Sequence, residues 1–114
     1  MRQSVIQVRI IRSKNGMLRS CTAEGHAGFA EKGHDIVCAA VSSILRTVLA
    51  LLEKTPSVRL LVNTPEPGNL FFCVQDNDKA DDALLIHCGD FLQQGLGLLQ
   101  DEYPEHVSLK EKTE

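Results

Sequence analysis

Residues Gly25–Ser42 read GHAGFAEKGHDIVCAAVS, and the rest of the chain is arranged about them. The stretch carries two of the four histidines, three of the eight glycines and one of the four cysteines. It begins where an alternating pattern ends and finishes inside a helical one. Asp35 is a residue type that caps helices, accepting hydrogen bonds from the first free backbone amides. From Ile36 to about Lys54 the apolar residues recur at helical spacing. Val37, Val41, Ile44, Val48 and Leu51 make one stripe, widened by Ala40, Leu45, Leu49 and Leu52. So wide an apolar face must be covered on more than one side, by a sheet and by a second helix or a partner subunit. Ahead of the helix, Ala27–His34 holds Gly28 and Gly33 without a clear period and reads as a loop.

Upstream, Ser4–Arg12 alternates, with Ile6, Val8 and Ile10 on one side and Gln7 and Arg9 on the other. That is the period of a strand. Lys14-Asn15-Gly16 predicts a type I′ hairpin turn, and Met17–Glu24 is the return strand. Downstream, Thr55-Pro56 stops the helix. Val58–Asn63 and Leu70–Gln75 read as strands joined by the turn Thr64–Asn69. An acidic loop, Asp76–Asp82, leads into a second helix that runs to about Glu102, where Tyr103-Pro104 follows. His106–Lys110 suits a short edge strand, with a frayed end beyond it. The order ββαββα(β) predicts a two-layer α+β domain, an antiparallel or mixed sheet with helices packed on it.

One domain, residues 1–114, accounts for the length. With 43% hydrophobic and 24% charged residues the composition is that of an ordinary soluble globular protein. A net charge of −3 argues against direct nucleic-acid binding. The longest apolar run from Ile36 meets Arg46 after ten residues, too short to span a bilayer, so no membrane is expected. No signal-peptide shape opens the chain, and a cytoplasmic location with reduced thiols is the expectation. Cysteines 21, 38, 73 and 88 include no CxxC pair, so no zinc ribbon or thioredoxin motif is present. A metal site from His26, His34 and Cys38 matches no common zinc spacing, and no cofactor is expected. Cys21, Cys73 and Cys88 read as core residues, and His34 and His87 as structural or solvated.

The chemistry concentrates in His26 and Cys38. A thiol is a good nucleophile only as thiolate, and an adjacent imidazole or a helix N-terminus favours that form. Cys38 falls in the first turn of the expected helix, near the positive end of its macrodipole. The twelve residues from His26 leave room for the histidine to fold back over it. Asp35 reads in two ways, as a helix cap opposing the thiolate or as the group that orients His26. Ser42 lies one turn beyond Cys38 on the same face, able to bond substrate or its own backbone.

The segment Gly25-His26-Ala27, then Gly33, then Asp35-Ile36-Val37-Cys38-Ala39-Ala40-Val41-Ser42 resembles the signature of the bacterial ribosomal-processing cysteine protease family, Prp. The resemblance extends over the chain's length, through Tyr103-Pro104. It implies a small α+β homodimer that removes a short N-terminal extension from large-subunit ribosomal protein twenty-seven. It implies Cys38 as nucleophile and His26 as general base and then acid, with a loop at 27–34 that moves as substrate binds. An apolar groove using Phe29 and Gly33 would suit the substrate peptide, and amides near Val37–Ala39 would be oxyanion donors. Two other classes compete. One is a non-catalytic ribosome-associated or dimerisation module with Cys38 packed away, and the other a small-molecule thiol hydrolase sharing the dyad.

Overall fold

The computed structural model describes residues 5–25, 32–64 and 69–114, with the side chains of 32–35 left aside. Strands β1 (Ile6–Arg12) and β2 (Leu18–Glu24) precede helix α1 (Lys32–Glu53). Strands β3 (Arg59–Asn63) and β4 (Leu70–Asp76) follow, then a 3-10 turn (Lys79–Asp81), helix α2 (Asp82–Glu102) and strand β5 (Val107–Thr113). The five strands form one sheet in the order β3-β4-β2-β1-β5. β1 pairs parallel with β5, while the other neighbours run antiparallel, so the sheet is mixed. The α+β architecture read from the pattern is the one observed.

Alternation in β1 decides its faces. Ile6, Val8 and Ile10 are fully buried, whereas Gln7 and Arg9 are exposed. They meet Leu18, Cys21 and Ala23 of β2 and Phe72 and Val74 of β4 in the core. From above, α1 contributes Val37, Val41, Leu45, Val48 and Leu52, and α2 contributes Leu85, Leu92 and Leu96. Ile44 and Leu49 are half-buried at the margins, and Leu51 is 47% exposed. The buried stripe of α1 is therefore turned toward Leu45 and Leu52 relative to the expected one. By length and composition Ile36–Glu53 is apolar enough to cross a membrane, which the ten-residue count from Ile36 did not reveal because Arg46 is an isolated charge. Five side chains of that stretch form the domain core, as in the core helix of a globular domain.

Other differences have local causes. Ser13 N–H donates to Met17 O at 2.8 Å and Gly16 N–H to Ser13 O at 2.9 Å. Gly16 has φ 91°, and no described non-glycine residue has positive φ, so Asn15 does not adopt a type I′ turn. The longer loop instead ends in one left-handed glycine, a common hairpin alternative. The chain end is paired rather than frayed. β5 runs in register with β1 to Arg12↔Thr113, and Glu114 N–H donates to Arg12 O at 2.8 Å. The acidic loop is spent on its own turn, where Ser57 Oγ donates to Asp81 Oδ2 at 2.6 Å. Residues 65–68 of the Thr64–Asn69 turn lie outside the described residues.

The inward parity of β1 extends to Arg12, whose side chain is buried. Nε donates to Gly16 O at 2.8 Å, and the terminal nitrogens reach Asp90 Oδ1 at 2.7 Å, Ile86 O at 3.2 Å and Gln93 Oε1 at 3.3 Å. Glu111 Oε1 stands 3.9 Å away. Gly89 makes room for this guanidinium, since a Cβ there would lie 2.8 Å from Cζ and from Nε. Hydrogen bonds hold the guanidinium in place, so it cannot step aside cheaply. Gly89→Ala is expected to destabilise the domain by about 1–3 kcal/mol. Urea unfolding of the two proteins, read by circular dichroism, checks this.

Candidate active site

Strand β2 delivers the chain to the site. Its pairing with β1 ends at Gln7↔Glu24 and its pairing with β4 ends at Ala23↔Leu70. Gly25 follows with φ 99°, and a Cβ there would lie 2.5 Å from Val5 O. No other residue fits that backbone and that closeness to β1. His26 is the next residue in sequence. His26 and Phe29 lie outside the described residues, as does 27–31 of the expected loop.

Helix α1 begins at Lys32, earlier than the expected cap. Lys32, Gly33 and His34 are therefore helical rather than part of a loop, and Gly33 is the helix's second residue. Asp35 lies in the first turn and is not the N-cap. The physical reason is that a carboxylate suits the first turn, facing the positive end of the macrodipole, as well as it suits the cap. Two consequences follow for Cys38. As the seventh residue of the helix it is in the second turn, where the macrodipole effect has largely fallen away. The amides of Val37–Ala39 lie beyond the four unpaired ones that open a helix, so they bond within α1 and are not oxyanion donors.

Cys38 is half-buried and packs against the core, at the margin of the α1 stripe. The Cα–Cβ bonds of a helix tilt toward its N-terminus, which directs Cys38 over the turn of His34 and Asp35. Asp35 is its neighbour at i−3 and Ser42 its neighbour at i+4. Ser42 is half-buried and lines a shallow groove with Ala39, Ser43, Arg46 and Thr47. The structure thus brings Asp35, Cys38 and Ser42 onto successive turns of one helix, with Gly33 at its start.

The remaining thiols divide by environment. Cys21 and Cys88 are buried, as expected of core residues, whereas Cys73 is only partly so because it lies on the side of β4 opposite the buried Phe72 and Val74. Burial pushes the Cys21 thiol up to about 12 and raises that of Cys88. Neither can supply thiolate near neutral pH. Among the described residues no group of three His, Cys, Asp or Glu side chains could hold a metal ion.

Two features escaped the sequence reading. Asn69 Oδ1 accepts the Gly25 N–H at 3.4 Å across 44 residues of sequence. The pairing was invisible because Asn69 looks like any turn residue. The Gly25–Val5 approach had a signal, a glycine directly after a strand, but not its partner.

On α1, Cys38 is half-buried at the edge of the core, with Ser42 one turn further along the helix. The family model for cysteine protease Prp matches residues 5–108. The ribosomal processing cysteine protease Prp of Staphylococcus aureus is 30% identical over 108 residues, 95% of this chain and 100% of the relative. That of Mycoplasma genitalium is 44% identical over 91 residues, 80% of this chain and 86% of the relative. Among solved structures, the S. aureus ribosomal processing protease Prp in complex with a substrate peptide superposes with TM-score 0.77 at 25% identity, covering 95% of this chain and 100% of the other. A Streptococcus mutans protein superposes with TM-score 0.77 at 34% identity, covering 97% of each chain. The chain belongs to the Prp family of cysteine proteases. It is a peptide hydrolase that works through a thiol.

The raised Cys21 thiol has a pH signature. In the unfolded chain the thiol loses its proton near pH 9, but in the fold only near 12. Between these values the unfolded state holds fewer protons, so stability falls as pH rises, by up to about 1.4 kcal/mol per pH unit. Cys21→Ala is expected to show a shallower loss of stability from pH 9 to pH 11 than the parent, measured by urea unfolding at each pH.

Proposed function

We propose that this chain removes a short N-terminal extension from a large-subunit ribosomal protein, number twenty-seven, with Cys38 as nucleophile and His26 as general base and acid. The observation that carries the reading is the placement of Cys38. It is held at the edge of the core on α1, while Cys21 and Cys88 are buried as neutral thiols. The S. aureus relatives are ribosomal processing proteases, one solved with a substrate peptide and one with a covalently linked product peptide.

The chemistry is acyl transfer. His26 takes the Cys38 proton, and Sγ attacks the scissile carbonyl carbon, placing the electron pair on its oxygen. The tetrahedral species collapses, the C–N bond breaks, and the imidazolium gives its proton to the leaving amine. Water, deprotonated by His26, then attacks the thioester. Cys38 leaves as thiolate, and the shortened protein is released with its new N-terminus already formed. Asp35, one turn ahead of Cys38, is the candidate to orient His26. Ser42, one turn behind it, is a candidate to bond substrate. Phe29 and Gly33 are candidate contacts for apolar residues before the cut.

The purified chain, mixed with a peptide copying the extended N-terminus of the host's own protein twenty-seven, is expected to cut it once. Cys38→Ala and His26→Ala are expected to lower kcat/KM at least 1,000-fold, an order of magnitude set by removal of a nucleophile or its base. An uncut peptide together with a Cys38 inert to iodoacetamide would favour the binding-module reading. An uncut peptide with a reactive Cys38 would discard this substrate alone.

The enzyme acts in the cytoplasm as a homodimer joined through α1. The support is the outward side of that helix, where Ile36 is 64% exposed and Leu51 47% exposed. Between them run Ala39, Ser43, Thr47 and Ala50, small enough for another helix to approach closely. Light scattering at micromolar concentration should give twice the 12.6 kDa chain mass. Leu51→Glu should return it to a monomer, while a parent chain already monomeric would refute the interface.

A further inference from the structure

The sheet ends in β5 on one side and β3 on the other, and the fold treats the two edges differently. On β5, Gln100 Oε1 of α2 accepts the Leu109 N–H at 2.7 Å, and Lys110 and Lys112 are exposed. Capped and charged edges resist pairing with another chain. β3 has neither device. Its residues 60–63 carry no charge, and Leu61 is 48% exposed and Val62 40% exposed. Among the described residues no hydrogen bond reaches the side of β3 away from β4. Backbone N–H and C=O groups are therefore open there, at a spacing that another extended chain matches.

β3 also lies on the Cys38 side of the helix layer. Ile44 of α1 packs on Gly95 of α2, where an added Cβ would lie 3.2 Å from it, and α2 runs over β5, β1 and β2. By helical spacing, Cys38, Ser42 and Leu49 occupy the opposite flank of α1, toward β4 and β3. Leu60 and Val62 share the helix-covered face of the sheet, because they are in register with the buried Val74 and Phe72. Leu61, in register with Cys73, is on the other face. β3 finishes at Asn63↔Phe71, the end of the sheet where β2 releases the chain beyond Ala23↔Leu70.

We propose that an extended, uncharged segment of the peptide substrate adds to β3 as a sixth strand, laying every second side chain over Leu60 and Val62 beside the Cys38 flank of α1. The proposal rests on the reading of Cys38 as nucleophile. A peptide hydrolase must hold an extended chain beside its thiol, and β3 offers that chain an unpaired edge on the same side. The substrate backbone supplies hydrogen bonds common to all peptides, while the side chains over Leu60 and Val62 select the sequence.

The full chain, V62K and L61K are compared on the peptide described above. V62K sets a charge on the helix-side face of the edge and is expected to raise KM roughly tenfold with kcat within about twofold, the pattern of lost substrate binding. L61K sets the same charge on the opposite face of the same strand and should raise KM at most about twofold. An equal rise in both would report a damaged strand and overturn the proposal. Binding is read apart from cutting, by fluorescence anisotropy of the labelled peptide on C38A. Methylating the peptide amides one at a time should weaken binding at every second position beside the cut, about five- to tenfold each, the size of one hydrogen bond. Weakening without that alternation overturns the pairing. If V62K halves the mass of the parent in light scattering, the edge belongs to a second copy and not to substrate. A V62K enzyme with parental KM, on a peptide that the parent cuts, overturns the proposal alone. A peptide that the parent neither binds nor cuts, or that C38A still cuts, removes the underlying reading and the proposal with it.

Discussion

A buried guanidinium cannot be left partly satisfied, and this domain is built around one. Arg12 is always charged, presents a rigid fork of five N–H donors, and is only 7% exposed. Its hydrogen bonds go to the hairpin loop through Gly16 and to α2 through Ile86, Asp90 and Gln93, and Glu111 of β5 stands alongside. Displacing any of these segments would strand a charge in a low-dielectric setting, at a cost of several kcal/mol. The constraint therefore couples the β1–β2 hairpin, the second helix and the last strand. It also explains a glycine in mid-helix, where propensity alone would disfavour one. Gly89 is the space that the guanidinium occupies.

The anchor stands at one end of β1, and the chain leaves the sheet toward α1 at the other. From Val5 to Arg12 the strand spans roughly 23 Å at its usual rise per residue. At the Val5 end, β2 finishes, β4 begins and the chain departs toward α1. At that point Gly25 passes against Val5 O, and the Asn69 oxygen accepts the Gly25 N–H. The proposed nucleophile comes from a different element altogether. Cys38 is placed by the α1 stripe, since burying Val37 and Val41 leaves Cys38, beside Val37, at the core's edge. Packing of one helix face places Cys38, and sheet register fixes where the chain leaves β2.

How much of this could be read beforehand differs from residue to residue. Alternation in β1 and the helical spacing of α1 gave both elements and the buried face of β1, because burial period follows backbone period, while the buried stripe of α1 came out turned toward Leu45 and Leu52. Cys38 stood out through its motif, and the structure places it half-buried at the edge of the core. The start of α1 was misjudged, because Asp35 suits a first turn as well as a cap, and the error carried over to the dipole and the oxyanion donors. The hairpin turn was misjudged as well. Asn-Gly permits a two-residue turn but does not require one, and Gly16 alone took the left-handed conformation.

Local periodicity, glycine placement and the Gly25–Ser42 motif were settled by the sequence itself, since they depend on neighbours within a few positions. Which strand borders which was not. The parallel pairing of β5 with β1 joins residues about a hundred positions apart, and it extends the expected short edge strand through the expected frayed end to Thr113. The burial of Arg12 beside Gly89 and the reach of Asn69 to Gly25 likewise exist only once distant segments are packed together. A side chain's hydrogen-bond partner is set by proximity in space, and for these residues only the tertiary fold supplies it.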